Sequence, residues 1–141
     1  MEYVIAACAS IVCVATCTEP ARFTEIRRRY ELLRTHLVGV DDHRWKPLHR
    51  QCVIVGLLWN NGGHIGWNTN KGYEIGVCLD GTPNQIFHVL LHELAHCTLD
   101  EYGHTDEFWR NFKDLREIAR VLGLYEIIPV QEKFCKRGIS D

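Results

Sequence analysis

Residues 88–109 read HVLLHELAHCTLDEYGHTDEFW, with histidines at 92, 96 and 104 and a glutamate at 93. Ile86, Val89, Leu90 and Leu94 recur at helical spacing, so a buried helix runs through the first half of the stretch. Two helical residues four apart share one face, about 6 Å apart along the axis. His92 and His96 can therefore converge on a single zinc ion. Glu93 projects beside them, where it can hold a water without being a ligand. Zinc lowers the pKa of such a water, and a carboxylate in that place can take its proton. Catalytic zinc wants three protein ligands and one open position. His104 supplies the third from beyond the helix, and Gly103 is expected to permit the sharp turn that brings it back.

Chance produces HExxH in roughly one shuffled chain in thirty of this composition. The surroundings argue against chance. Two histidines and a glutamate inside an apolar helix are costly to bury unless they find partners, and a third histidine follows immediately before another helix. Glu101, Glu107 and Glu117 are alternative third ligands of a different design, with His104 preferred. His88 lies too far along the axis to complete the site and is read as packing or cleft lining. His36, His43, His49 and His64 are read as surface residues. Asp100 and Glu101 are either acceptors for a ligand imidazole or solvated loop charge. Tyr102 or Tyr73 could assist an oxyanion, with packing the simpler role.

The active-site helix is expected from Pro83 or Asn84 to Leu99. A second should begin at Thr105, which can cap it, with Asp106 and Glu107 at its positive end. Phe108, Phe112, Leu115, Ala119 and Leu122 form its buried stripe, and Gly123 is its natural stop. Upstream, Ile26, Tyr30, Leu33 and Leu37 mark an amphipathic helix starting near Thr24. The run Arg27, Arg28 and Arg29 is a solvated face of it. Residues 39–47 read as a loop. Residues 52–59 alternate as a strand, 60–63 (NNGG) as a hairpin turn, 64–68 as the return strand, and 73–79 as a third strand. The tail, 125–141, should pack along the surface. Helix, three strands and two helices make an α+β domain.

At 141 residues the chain suits one compact domain that buries a core without staples. A formal charge of −2 offers no general attraction to nucleic acid. The seven cysteines are odd in number and lack CxxC spacing, so they are expected to be mostly reduced and buried, a bridge between Cys97 and Cys135 being the one pairing considered. Residues 3–18 carry no charge. As a helix they would span about 24 Å, a little short of a bilayer core. A membrane anchor is favoured there over a core element or a signal peptide, because the nearby arginines lie on the C-terminal side; that would hold the catalytic domain in the cytosol. A soluble cytoplasmic protein is the alternative.

HELAH at 92–96, the later His104 and the following TDEFW resemble the WLM and SprT-like families of small zinc metallopeptidases. The resemblance is closer to small metallopeptidases of large DNA viruses. It runs through Arg29, Tyr30 and Leu37, TNKGYEIGVCLD at 69–80, Gly123, Leu124 and Tyr125, and FCKRGISD at 134–141. It implies a virus-encoded protein with a minimal zincin-like α+β domain over 21–141, preceded by the apolar segment 1–20. That domain would hold an N-terminal helix, a short three-stranded sheet, and an HExxH helix followed by a further helix. It also implies His92, His96 and His104 as zinc ligands, Glu93 as the catalytic base, and a protein or peptide substrate. The gap from His96 to His104 is two residues longer than in the commonest WLM pattern. Members of these families often act on proteins crosslinked to DNA, a role for which this chain shows no DNA-binding region. The strand at 73–79 is expected to be the cleft edge to which an extended peptide adds. The rival function is a membrane-associated structural or virion protein with a non-catalytic zinc site. Oligomeric state is not legible.

Overall fold

The structure, a computed structural model, describes residues 19–57, 65–135 and 137–141. Helix α1 (Ala21–Val38) opens after Pro20 and buries Phe23, Ile26, Tyr30, Leu33 and Leu37, the stripe that its spacing dictates. It begins three residues earlier than expected. Its arginines do more than face solvent. Arg28 pairs with Glu25, but Arg29 also donates to the Leu124 carbonyl at 2.9 Å, and Arg22 to that of Leu79 at 2.8 Å. Residues 43–49, expected as loop, form a 3₁₀ helix, His43–His49. Asp42 caps it by accepting from the Arg44 amide, and Trp45 and Leu48 insert into the core; burial of those two large side chains outweighs the polar look of the segment.

Three strands follow, β1 (Val53–Leu57), β2 (Gly66–Thr69) and β3 (Glu74–Cys78). Their order is β1-β3-β2, with β1 parallel and β2 antiparallel to β3. The expected hairpin between the first two strands therefore does not form, since β3 lies between them; its turn, 60–63, lies outside the described residues. The hairpin that does form joins β2 to β3 through Asn70, Lys71 and Gly72, all at positive φ. From Ile75 to Cys78 every residue of β3 is buried, the signature of a central strand covered on both faces. Trp67 lies against Gly76, where any Cβ would overlap its indole. These pairings also correct the expected cleft edge. β3 is hydrogen-bonded on both sides and cannot accept another strand, whereas β2 has a neighbour on one side only among the described residues.

Helix α2 (Pro83–Cys97) starts with a complete capping box: Thr82 accepts from the Gln85 amide, and Gln85 reaches back to the Thr82 amide, satisfying donors the first turn leaves unpaired. It stops two residues short of the expected Leu99. α2 is buried almost all round, with the sheet, α1 and the next helix against it. That helix, α3 (Asp106–Val121), has Thr105 as its N-cap and buries Phe108, Phe112, Leu115 and Ala119, as expected, whereas Leu122, the last of the expected stripe, is the C-cap and only partly buried. It ends at Gly123, φ +71°, with the Leu124 amide donating to the Ala119 carbonyl, a stop that glycine makes without strain.

The tail is more than a surface strap. Leu124, Tyr125, Ile128 and Phe134 are buried, and a small hairpin, β4 (Glu132–Phe134) with β5 (Arg137–Ile139), closes it. A disulfide joins Cys78 at the end of β3 to Cys135. Cys135 thus pairs with Cys78 and not with Cys97, the one partner considered for it; Cys52 and Cys97 alone among the described cysteines are free thiols, both buried. Cys97 sits at the end of α2, where Asn68 donates to its sulfur, while the tail crosses the other end of the sheet.

The membrane-anchored placement is corrected as well. No helix among the described residues is long and apolar enough to cross a bilayer. Residues 3–18, on which that placement rested, lie outside the described residues.

His88 and the tail give a testable pH dependence. His88 is 6% exposed, its Nδ1 2.8 Å from the Tyr125 hydroxyl, which donates to Asp141 at 2.7 Å. The hydroxyl hydrogen being spent on Asp141, Nδ1 carries the proton and donates to the tyrosine oxygen. Burial holds the His88 imidazolium down to about 4. Folding therefore disfavours the protonated ring. Its stability contribution is whole above the ordinary histidine value of about 6.5 and is lost as pH falls toward 4, at about 1.4 kcal/mol per pH unit. A plot of the metal-free protein's unfolding free energy against pH is expected to lose about one proton of slope in that window on His88→Gln. An unchanged slope would show that His88 is charged in the fold.

Candidate metal centre

α2 and the loop after it assemble the centre. His92 and His96 leave α2 one turn apart and are half-buried; His104 is exposed and comes from the loop between α2 and α3. The three Nε2 atoms face one another. That of His104 is 3.1 Å from those of both His92 and His96, and the three donor atoms lie within 4.8 Å of each other. Zinc–nitrogen bonds of about 2.0–2.1 Å at tetrahedral angles put ligand nitrogens about 3.3 Å apart. The observed spacing is close to that, so the residues present fit the ion. Three Nε2 atoms so placed can each offer a lone pair to one point, an arrangement that a cation relieves. Burial, helped by the neighbouring histidines, holds His92 down to about 3 and His96 to about 4; neutral rings are the ones that ligate metal.

An aromatic floor fixes the rings. Phe108, the first inward residue of α3, has its centroid 4.9 Å from that of His92, 4.3 Å from His96 and 4.7 Å from His104. Trp109, half exposed, stacks on His104. The Thr105 cap, by setting where α3 starts, sets where this floor lies. The usual polar support of a ligand imidazole is missing at His96 among the described residues, its Nδ1 being buried with no hydrogen-bond partner there; the Phe108 ring packs against it instead.

Glu93 is 9% exposed, and burial pushes its carboxyl up to about 7. Its Oε1 would lie 3.0 Å from a Cβ at position 66, so only glycine lets β2 pass so close to the carboxylate. Asn68, further along β2, donates to the Glu93 carbonyl at 2.9 Å and to the Cys97 sulfur at 3.0 Å, clamping the strand to the helix. Sequence reasoning missed Gly66 and Asn68. The lone glycine inside a strand pattern was the available signal, since it marks a close backbone approach.

The cluster takes in His104 and none of Glu101, Glu107 and Glu117 among the described residues; Glu117 is paired with Arg120 on the outer face of α3. His88 packs away from the site, as expected. Asp100 and Glu101 are exposed loop residues, Glu101 being held by its main-chain carbonyl. Tyr73 and Tyr102 are both exposed, at 64% and 63%. Gly103 does not play the part expected of it. It is not among the positive-φ residues, and a Cβ there would meet nothing nearer than 4.0 Å.

No family model matches the chain. It is 45% identical over 53 residues to uncharacterized protein 136R of Invertebrate iridescent virus 6, covering 37% of this chain and 30% of that one. It is 32% identical over 78 residues to uncharacterized protein R325 of Acanthamoeba polyphaga mimivirus, covering 50% and 40%. The matches thus span less than half the length of either relative. Among solved structures, the crystal structure of Wss1 from Saccharomyces cerevisiae superposes with a TM-score of 0.56 at 20% identity, over 72% of this chain and 77% of that one. At that identity the likeness speaks for the fold. The chain shares the fold of that structure and carries on it a three-histidine cluster able to hold zinc.

Proposed function

We propose that this protein is a zinc-dependent peptidase, with residues 21–141 as its catalytic domain, His92, His96 and His104 as the metal ligands and Glu93 as the general base. The observation that carries the reading is the meeting of three imidazole Nε2 atoms beside a buried carboxyl that ligates nothing in the cluster. Zinc bound there supplies Lewis acidity, polarising a carbonyl and acidifying a water. The chain's own groups do the rest. Glu93, held near a pKa of 7 by burial, is poised to take a proton at neutral pH and return it to the leaving amine. Among the described residues β2 is paired on one side only, and it passes Glu93 at Gly66, which suits an extended peptide added as a further strand. Trp109, half exposed and stacked on His104, offers apolar surface for its side chains.

A structural zinc site is normally closed by four protein ligands. The cluster here has three among the described residues, which favours a catalytic role over a purely structural one. Incubating zinc-loaded protein with an unbiased peptide library is expected to give cleavage that a chelator abolishes and that one equivalent of zinc restores. Chelator-resistant cleavage, or none by protein shown to carry zinc, would count against the reading.

A further inference from the structure

His104 is the exposed member of the triad, and its loop has neither a left-handed glycine nor a helix to fix it. What crosses the middle of that loop is Lys71. Its ammonium donates to the Glu101 carbonyl at 2.7 Å, lies 3.4 Å from the His96 carbonyl, and sits 3.8 Å from the centroid of the Tyr102 ring. One cation therefore joins the end of α2, which carries His96, to the segment that carries His104. We infer that Lys71 is a positioning residue of the metal centre, setting the distance between the helix ligands and His104. This rests on the three histidines being zinc ligands.

The backbone under Lys71 supports the assignment. Asn70, Lys71 and Gly72 have φ of 48°, 53° and 92°. Positive φ is what a tight hairpin turn asks of its central residues, and lysine adopts it at more cost than asparagine or glycine. The turn is nonetheless held firmly. The Gly72 amide donates to the Asn68 side chain at 2.7 Å, and the Tyr73 amide to the Thr69 carbonyl at 3.1 Å. Gly72 also lies so near the Cys97 sulfur that a Cβ would come within 2.8 Å of it. The turn is thus seated on the end of α2, and from it the Lys71 ammonium reaches the loop. Of its two carbonyl partners, that of His96 lies at the negative end of α2, where a cation is favoured. The Tyr102 ring, otherwise exposed, closes over it.

The test is zinc affinity by chelator competition, with the absorption spectrum of the cobalt-substituted full chain and the unfolding midpoint of the metal-free chain read alongside. Lys71→Met keeps the stem and removes the donors. It is expected to weaken zinc about 10–100-fold, the range for groups that orient metal ligands, to alter the tetrahedral cobalt bands, and to leave the metal-free midpoint unchanged. Lys71→Arg is expected to restore most of the affinity. Tyr102→Leu, at an exposed position that carries no folding risk, should cost about two- to fivefold. Wild-type affinity in both Lys71→Met and Tyr102→Leu overturns the inference while leaving the peptidase reading standing. So does a loss that merely follows a lower metal-free midpoint and is not recovered by arginine. A wild-type chain that binds neither zinc nor cobalt sinks both.

Discussion

Glu93→Gln is expected to bind one zinc ion with wild-type affinity and to hydrolyse peptides about 10²–10⁴-fold more slowly, the usual contribution of a general base. The amide has the shape of the carboxyl, so the close passage of β2 at Gly66 is preserved. The Glu93 main-chain carbonyl, which accepts from Asn68 and from the Cys97 thiol, is untouched by the change. Only the ability to take a proton is lost. Because Glu93 is not one of the three clustered donors, zinc content should not move. The measurement pairs metal analysis with steady-state cleavage of a peptide found by library screening. Full activity in the zinc-loaded variant would remove Glu93 from its role, and loss of zinc together with activity would make it a ligand instead.

His104→Ala is expected to weaken zinc by about 10²–10³-fold while the fold persists. Structural zinc sites contribute about 10–16 kcal/mol over four ligands, so one ligand carries about 2.5–4 kcal/mol. His104 is exposed, and the helices on either side have their own stops: Thr98 at the end of α2, and the Thr105 hydroxyl, which accepts from the Phe108 amide, at the start of α3. Little packing is lost with the ring. His92→Ala differs, because His92 lies against Phe108 and Phe112 and its removal opens a hole in the core, so stability falls with affinity. Zinc titration and thermal unfolding of the two variants separate the cases. A His104→Ala chain that binds zinc at wild-type strength would show that the third ligand lies elsewhere.

Much of the centre is legible in the amino-acid sequence. The helix through 92–96, its start at Pro83 and the Thr105 cap are decided by residues within four positions of one another, and such contacts form wherever the chain goes. The i, i+4 pairing of His92 with His96 is of the same kind. His104 could be named as the third ligand, but the device holding it could not. Gly103 suggested a local turn, whereas the loop is tied by Lys71, whose bond to the Glu101 carbonyl spans 30 positions. The order of the sheet was misjudged for a related reason. NNGG at 60–63 is a strong local hairpin signal, yet β3 is the strand apolar enough on both faces to sit in the middle.

Neighbouring residues decided the chemistry of this chain: a helix bearing two imidazoles and a carboxyl, a third imidazole a short loop away, and an aromatic helix behind. Packing between distant segments decided what surrounds that chemistry. It put β2 rather than β3 at the open edge, paired Cys78 with Cys135 across 57 positions, and brought the 68–72 turn under the metal loop. Helical periodicity and caps are energies of adjacent residues and so can be read along a string. Strand order, disulfide partners and a lysine's choice of carbonyl depend on which faces are buried together, and that is settled only when the whole core closes.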